Sequence, residues 1–171
     1  MLQTERASEA DEEADRAGGI DKAGDFAGGH YIWQGATILG GGYHDRIAVI
    51  GAGRDVPTVR EATLKLREGV HIAAEAHHIE QILHGHLAAI DEGVRVFVLE
   101  GQGRAAERAQ DVVRALGELG AETTLVPTEH PVVDIVRFQL LTADLAQDRG
   151  IDPDKIRWDE PRWDAARKSY S

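Results

Sequence analysis

The sequence predicts an α/β fold: a three-layer αβα sandwich whose sheet is mainly parallel. Three observations predict it. Short runs of unbroken apolar residues alternate with longer amphipathic stretches. The runs lack the polar alternation of a half-exposed strand, as expected of strands covered on both faces. Glycine or proline punctuates most junctions, and strand–helix alternation of this kind builds parallel sheets through right-handed crossovers.

Regular structure begins at Arg46. Ile47-Ala48-Val49-Ile50 reads as a buried strand, and Gly51-Ala52-Gly53 as the turn that follows it. Pro57 suits the first turn of a helix, where its missing N–H costs little, and that helix runs to about Gly69. Its apolar stripe is Val59, Ala62, Leu66 and Val70; Thr58, Glu61, Lys65 and Glu68 form a polar stripe at the same spacing. His71 to Glu75 reads as a short strand. His78 to Ile90 reads as one helix, with Ile79, Ile82, Leu83, Leu87 and Ile90 on one face and His86 among them. Val94 to Leu99 is a clear strand, and Arg104 to Leu119 an amphipathic helix stopped by Gly120. Thr123 to Val126 is a further strand. Pro131 to Arg149 is an apolar helix ended by Gly150, and a last helical turn is expected around Glu160–Lys168. In such sheets ligands bind beyond the carboxyl ends of the strands, which places the turn after Ile50 among the candidate sites.

These elements divide the chain into four parts. Residues 1–28 carry eight acids against three bases and almost no large apolar side chains, so a disordered or loosely helical acidic tail is expected. Residues 29–45 are a Gly-rich connector with an aromatic anchor around Tyr31 and Trp33. Residues 46–154 are the folded domain, and 155–171 a polar C-terminal tail. In that tail Trp158 and Trp163 imply folding back or docking on a partner subunit.

The bulk composition excludes several functions. No cysteine is present, which removes disulfides, thiolate metal sites and a thiol nucleophile. A net charge of −11 disfavours nucleic acid as a partner. No apolar run approaches the ~20 residues of a membrane span, and the acidic start does not resemble a signal peptide, so a cytoplasmic location is expected.

Few residues suggest chemistry on their own. Gly51-x-Gly53 lacks the third glycine of a dinucleotide fingerprint and reads first as a tight turn; a nucleotide-binding reading predicts retention on a nucleotide resin. Glu61, Lys65 and Glu68 share a helix face. They read either as a solvated stripe or as a general base, Glu68, with a cationic partner, Lys65. His71, His77, His78, His84 and His86 crowd one region, but their spacing fits no metal motif; neither a metal nor a cofactor is expected. His86, inside the apolar stripe, is expected as a packed, hydrogen-bonded ring. His84 stands beside Gly85, which bares the backbone next to it.

Read together, the pieces resemble the sugar-isomerase (SIS) family, in particular the second SIS half of glucosamine-6-phosphate synthase and its deglycase- and deaminase-like relatives. Gly51-Ala52-Gly53 followed by Glu61-Ala62-Thr63-Leu64-Lys65-Leu66-Arg67-Glu68 is similar to the family's Gly-x-Gly turn and E-G-A-L-K-L-K-E. Ala74-Glu75-Ala76 is similar to its A-E-A segment, and Leu83-His84-Gly85-His86-Leu87-Ala88-Ala89-Ile90-Asp91 to its K-H-G-P-x-A-L-I-D. Gln139-Leu140-Leu141 through Gly150-Ile151-Asp152-Pro153-Asp154 is similar to its terminal Q-L-L … G-x-D-P-D.

The resemblance implies a flavodoxin-like sheet, one strand short because the stretch after Val126 is brief. It implies a hexose phosphate or amino-sugar phosphate as ligand. Glu68 would move a proton between C1 and C2, with Lys65 beside it and His84 opening the sugar ring, often from the neighbouring subunit. Glu61 would line the site, as would Gly51, Gly53, Thr58 and Gly85. A homodimer, or pairing with a complementary SIS half, follows from the same resemblance. The departures are His86 for the family proline, Leu83 for a common lysine, a tail around Trp158 unlike the synthase's closing segment, and no Ser-x-Ser-Gly-x-Thr phosphate loop. They leave a second expectation open: a non-catalytic SIS module that senses sugar phosphate or joins subunits.

Overall fold

The computed structural model describes residues 44–170. The acidic segment 1–28 and nearly all of the Gly-rich connector lie outside the described residues.

Four strands form one sheet: β1 (Arg46–Gly51), β2 (Ala73–His78), β3 (Val94–Leu99) and β4 (Glu122–Val126). Their order is β2-β1-β3-β4 and every pairing is parallel. This is the flavodoxin-like order without its fifth strand. Five helices connect and follow the strands: α1 (Val56–Val70), α2 (Ile79–Leu83), α3 (Arg104–Glu118), α4 (Pro131–Arg149) and α5 (Pro161–Lys168).

The central strands are apolar toward both faces, and two cores result. Ile47, Val49, Phe97 and Leu99 point to one side, where α1 and α4 cover them through Val59, Leu66, Phe138 and Leu141. Ala48, Ile50, Val96 and Val98 point to the other, where α2 and α3 bring Ile79, Ile82, Val112 and Leu116. Phe97 and Phe138 meet edge to face with ring centroids 5.9 Å apart, a favoured aromatic arrangement.

Two glycines set how closely the layers approach. A Cβ on Gly51 would come within 2.7 Å of Val59 Cγ2, so only glycine lets α1 return this tightly over the end of β1. A Cβ on Gly69 would stand 2.5 Å from Thr142 Cγ2, which places α1 directly against α4.

The structure corrects three expectations. The second strand lies at Ala73–His78, so His77 and His78 belong to a strand end and not to a helix. The single helix expected over 78–90 is two pieces, α2 and a 3-10 turn at His86–Ala89, because Gly85 adopts a φ of 148° that breaks helical continuation. His86 consequently leaves the apolar face. Its ring is exposed and stands 5.0 Å from that of His77, not packed in the core. The last helix forms as α5, somewhat longer than a turn.

Candidate functional site

Helix α1 carries the central group. Its polar stripe holds Glu61, Lys65 and Glu68 half-exposed, while Val59, Leu66 and Val70 anchor the opposite side. Lys65 Nζ donates to Glu68 Oε2 at 2.9 Å and stands 3.7 Å from Glu61 Oε1. The hydrogen bond to Glu68 is the main reason that the ammonium is held above its ordinary pKa, with both carboxylates adding attraction. The lysine is therefore a fixed cation between two acids.

The pair opens into a cleft of about 300 Å³ lined by Lys65, Glu68, Gln139, Thr142, Asp154 and Ile156. Two parts of the chain distant in sequence meet there, α1 and the region from α4 onward. Gln139 and Thr142 come from α4, which packs on α1. Asp154 and Ile156 come from the segment after α4, whose turn is tied by the Asp154 N–H donating to Asp152 Oδ1 at 3.1 Å. Sequence reasoning placed Gln139 and Asp154 in matching motifs but not in the site; nothing short of the α1–α4 packing brings them to Glu68.

The remaining candidates are distributed elsewhere. Gly51, Gly53 and Thr58 sit at the carboxyl end of β1. Helix α1 runs back antiparallel to the strands, so Thr58 and Glu68 are separated by about 15 Å along the axis at 1.5 Å per residue. The structure does not bring the two groups together. Gly53 has a φ of 58° and Gly85 one of 148°, both with open space around the missing Cβ. Thr58 is fully buried, its hydroxyl without a partner. His84 caps the C-terminus of α2 on the opposite layer from α1. It is 73% exposed and its Nε2 stands 3.4 Å from Glu80 Oε2. Glu80 is in turn gripped by Arg108 at 2.8 and 2.9 Å, which depresses its pKa. Glu68 and His84 are thus not neighbours within one chain.

A buried polar knot at the carboxyl ends of β1 and β4 was not anticipated. Asp55 and Asp134 are both buried, and burial raises the pKa of each. Asp134 accepts from the Glu129 N–H and from Arg137 Nη1 at 3.1 Å, whereas both carboxylate oxygens of Asp55 have no hydrogen-bond partner. Among the described residues no three His, Asp or Glu side chains converge as metal ligands would. Nor is any described helix long and apolar enough to cross a membrane.

A family model for the SIS domain matches residues 43–151. The chain belongs to the SIS domain family. Its relatives carry a consistent label. The chain is 32% identical over 148 residues to the glutamine–fructose-6-phosphate aminotransferase of Symbiobacterium thermophilum, covering 74% of this chain and 24% of that protein. It is 31% identical over 129 residues to the enzyme of the same name from Methanothermobacter thermautotrophicus, covering 62% and 22%. This SIS chain therefore spans about a quarter of the length of these two relatives. Among solved structures, glucosamine-6-phosphate deaminase from Thermotoga maritima superposes with a TM-score of 0.61 at 23% identity, over 75% of this chain and 44% of that one. The C-terminal domain of glucosamine-fructose-6-phosphate aminotransferase from Francisella tularensis gives 0.59 at 19% identity, over 72% and 40%. At these identities the likeness establishes the SIS fold.

Proposed function

We propose that this SIS domain binds a hexose 6-phosphate or amino-sugar 6-phosphate and serves proton transfer between C1 and C2 of its open-chain form. The observation that carries this reading is the convergence of Lys65 and Glu68 with Gln139 and Asp154 on one cleft. The relatives named for work on fructose 6-phosphate and glucosamine 6-phosphate supply the ligand class.

The chemistry asks for two groups. A carboxylate must take the proton from one carbon and return it to the next, and Glu68 is that base. A fixed cation must steady the enediolate oxygen that gains charge as the proton leaves, and Lys65 Nζ, 2.9 Å from Glu68, is placed for it. Ring opening is assigned to His84 of a second copy, because His84 and Glu68 occupy opposite layers of one chain. That assignment requires a homodimer or a complementary SIS half.

The test is turnover of glucosamine 6-phosphate and fructose 6-phosphate by the wild-type chain, alone and with a complete SIS partner, against Glu68→Gln. Loss of turnover in the variant with ligand binding retained is expected. Equal turnover by the two proteins would overturn the catalytic reading.

A second reading is favoured by the separation of Glu68 from His84. A module that binds sugar phosphate without converting it would show the same thermal stabilisation by ligand in wild type and Glu68→Gln, and turnover in neither.

A further inference from the structure

The strand order leaves β4 at an edge of the sheet, paired to β3 alone. The Val126 carbonyl accepts from the Glu100 N–H at 2.9 Å, on the β3 side. Backbone groups alternate sides along a strand. Those of Glu122, Thr124 and Val126 therefore face β3, and those of Thr123 and Leu125 face outward. Among the described residues no group bonds the outward N–H and C=O of Thr123 and Leu125. The open stretch is bounded at both ends. The Ala121 carbonyl is taken by the Thr123 hydroxyl at 3.1 Å, and Pro127 has no N–H to offer.

Both helix layers present uncharged side chains beside that edge. α2 packs over β2 and β1, and α3 over β3 and β4. Arg108 of α3 grips Glu80 of α2, so Ala106, Val113 and Gly117, about 140–180° round the helix, lie on the β4 side. In the other layer Arg137 of α4 reaches the Pro127 carbonyl at 2.8 Å, just beyond β4. Val133, Leu140 and Val136 follow about 40°, 60° and 100° from Arg137 round the helix. Thr142, which meets α1, lies about 140° away in the opposite sense. Val133, Val136 and Leu140 are half-buried and belong to neither core. Unpaired backbone and apolar side chains thus share one flank, the kind of edge that pairs with another chain unless it is covered.

We propose that β4 pairs antiparallel with β4 of a second copy of this chain, joining the two sheets into one. The register points to this occupant. About a two-fold axis at Thr124, Thr123 of each copy stands opposite Leu125 of the other, and each such pair exchanges both N–H···O=C bonds. The open stretch is complementary to itself. Charge points the same way. Each copy carries −11, so a contact between copies is least opposed where carboxylates do not face one another. In this register Glu122, held by Arg95 at 3.0 Å and by His44 at 2.9 Å, faces Val126 of the second copy. On either face of the joined sheet the flanks of α4 and of α3 meet their own counterparts, with Ala106 and Gly117 small enough for close helix packing.

This contact is separate from the pairing assigned to His84. That residue ends α2, over β2 and β1 at the opposite edge of the sheet. The inference therefore does not depend on the reading of the Glu68 cleft.

The test is sedimentation equilibrium of the full chain across micromolar concentrations. Wild type, Thr123→Pro, Val136→Lys and Leu64→Lys are compared, with circular dichroism to certify each fold. Thr123→Pro removes an outward N–H and leaves the ladder to β3 whole. Val136→Lys places a charge on the α4 flank and remains informative if the proline variant does not fold. Leu64 is 45% exposed on α1 and serves as the control. The wild type is expected to associate reversibly and to protect the Leu125 amide from exchange as it does so. Thr123→Pro and Val136→Lys should each weaken association roughly tenfold or more, and Leu64→Lys should leave it unchanged. A tetramer that each edge variant reduces to a dimer supports the proposal equally. A wild type that stays monomeric, or association that both folded edge variants leave intact or that Leu64→Lys weakens as much, overturns it. A monomer with a protected Leu125 amide overturns it in favour of another segment of the same chain on the edge.

Discussion

Gly69 and Thr142 touch where α1 crosses α4, with the position of an added Cβ on Gly69 only 2.5 Å from Thr142 Cγ2. The contact sits on the wall of the Lys65–Glu68 cleft, so packing and site geometry are fixed by one pair. Gly69→Ala should gain about 1 kcal/mol of helix propensity and lose more to overpacking, for a net destabilisation of about 1–2 kcal/mol. Thr142→Ser in the same chain removes the offending methyl and keeps the hydroxyl that donates to the Phe138 carbonyl at 2.8 Å. Urea unfolding should show the double variant recovering most of the loss; a double variant no better than Gly69→Ala would show that the strain lies elsewhere.

Lys65 and Glu68 make a prediction about function without stability. Both are half-exposed, so Glu68→Gln should change the unfolding free energy by less than about 0.5 kcal/mol. Removal of a general base should nevertheless slow C1–C2 proton exchange by about 10²–10⁴-fold. Deuterium wash-in at C2 of the sugar phosphate reads the step directly. Equal wash-in by wild type and variant would assign the base to another residue.

Asp55 predicts a pH dependence. Its pKa, and that of Asp134, are raised above the ordinary 3.8 by burial. A raised folded-state pKa means that the folded state binds the proton more tightly than the unfolded chain. The associated stability is complete below 3.8 and is lost as pH rises through the folded pKa. The Asp55 carboxyl meets no hydrogen bond, with the Arg54 guanidinium 3.9 Å away as partial compensation for its charged form. Asp55→Asn should raise the midpoint of thermal unfolding at pH 7, by the equivalent of about 1–3 kcal/mol, and flatten the decline that sets in as pH rises above 3.8. A lower midpoint at pH 7 would show that the carboxylate is compensated in the folded state.

Arg95 is buried on β3, where it donates to Thr124 Oγ1 at 2.6 Å and pairs with Glu122 at 3.0 Å. Glu122→Ala would strand a guanidinium that is only 2% exposed, at a cost of about 3 kcal/mol. Arg95→Met replaces charge and partner demand together and should be nearly neutral. Chemical denaturation of the two variants decides the matter, and the reverse ranking would show Arg95 reaching water.

Much of the fold was legible because β1, β3 and α3 announce themselves through unbroken apolar runs and helical periodicity. The break in the stretch after His78 was not. Ile79, Ile82, Leu83, Leu87 and Ile90 keep helical spacing through a turn, since both pieces pack on the same core. β2 was displaced because it is an edge strand of Ala, Glu and His with Ala74 alone deeply buried. At the site, Lys65 and Glu68 were legible from spacing on one helix. Gln139, Asp154 and Ile156 were not, because their approach depends on how α4 and the segment after it return to α1.

The all-parallel order also shapes how the molecule reaches its native state. Each ladder joins segments separated by an entire crossover: Arg46 meets Ala73 and Val94, and Arg95 meets Glu122. None of these pairs can zip up from a hairpin, so chain closure over long distances must precede every ladder, which makes refolding slow relative to helical bundles of similar length. β1 and β3, each bonded on both sides and covered by both layers, are then the segments whose amides exchange last with solvent, and the departure of either would split the sheet in two.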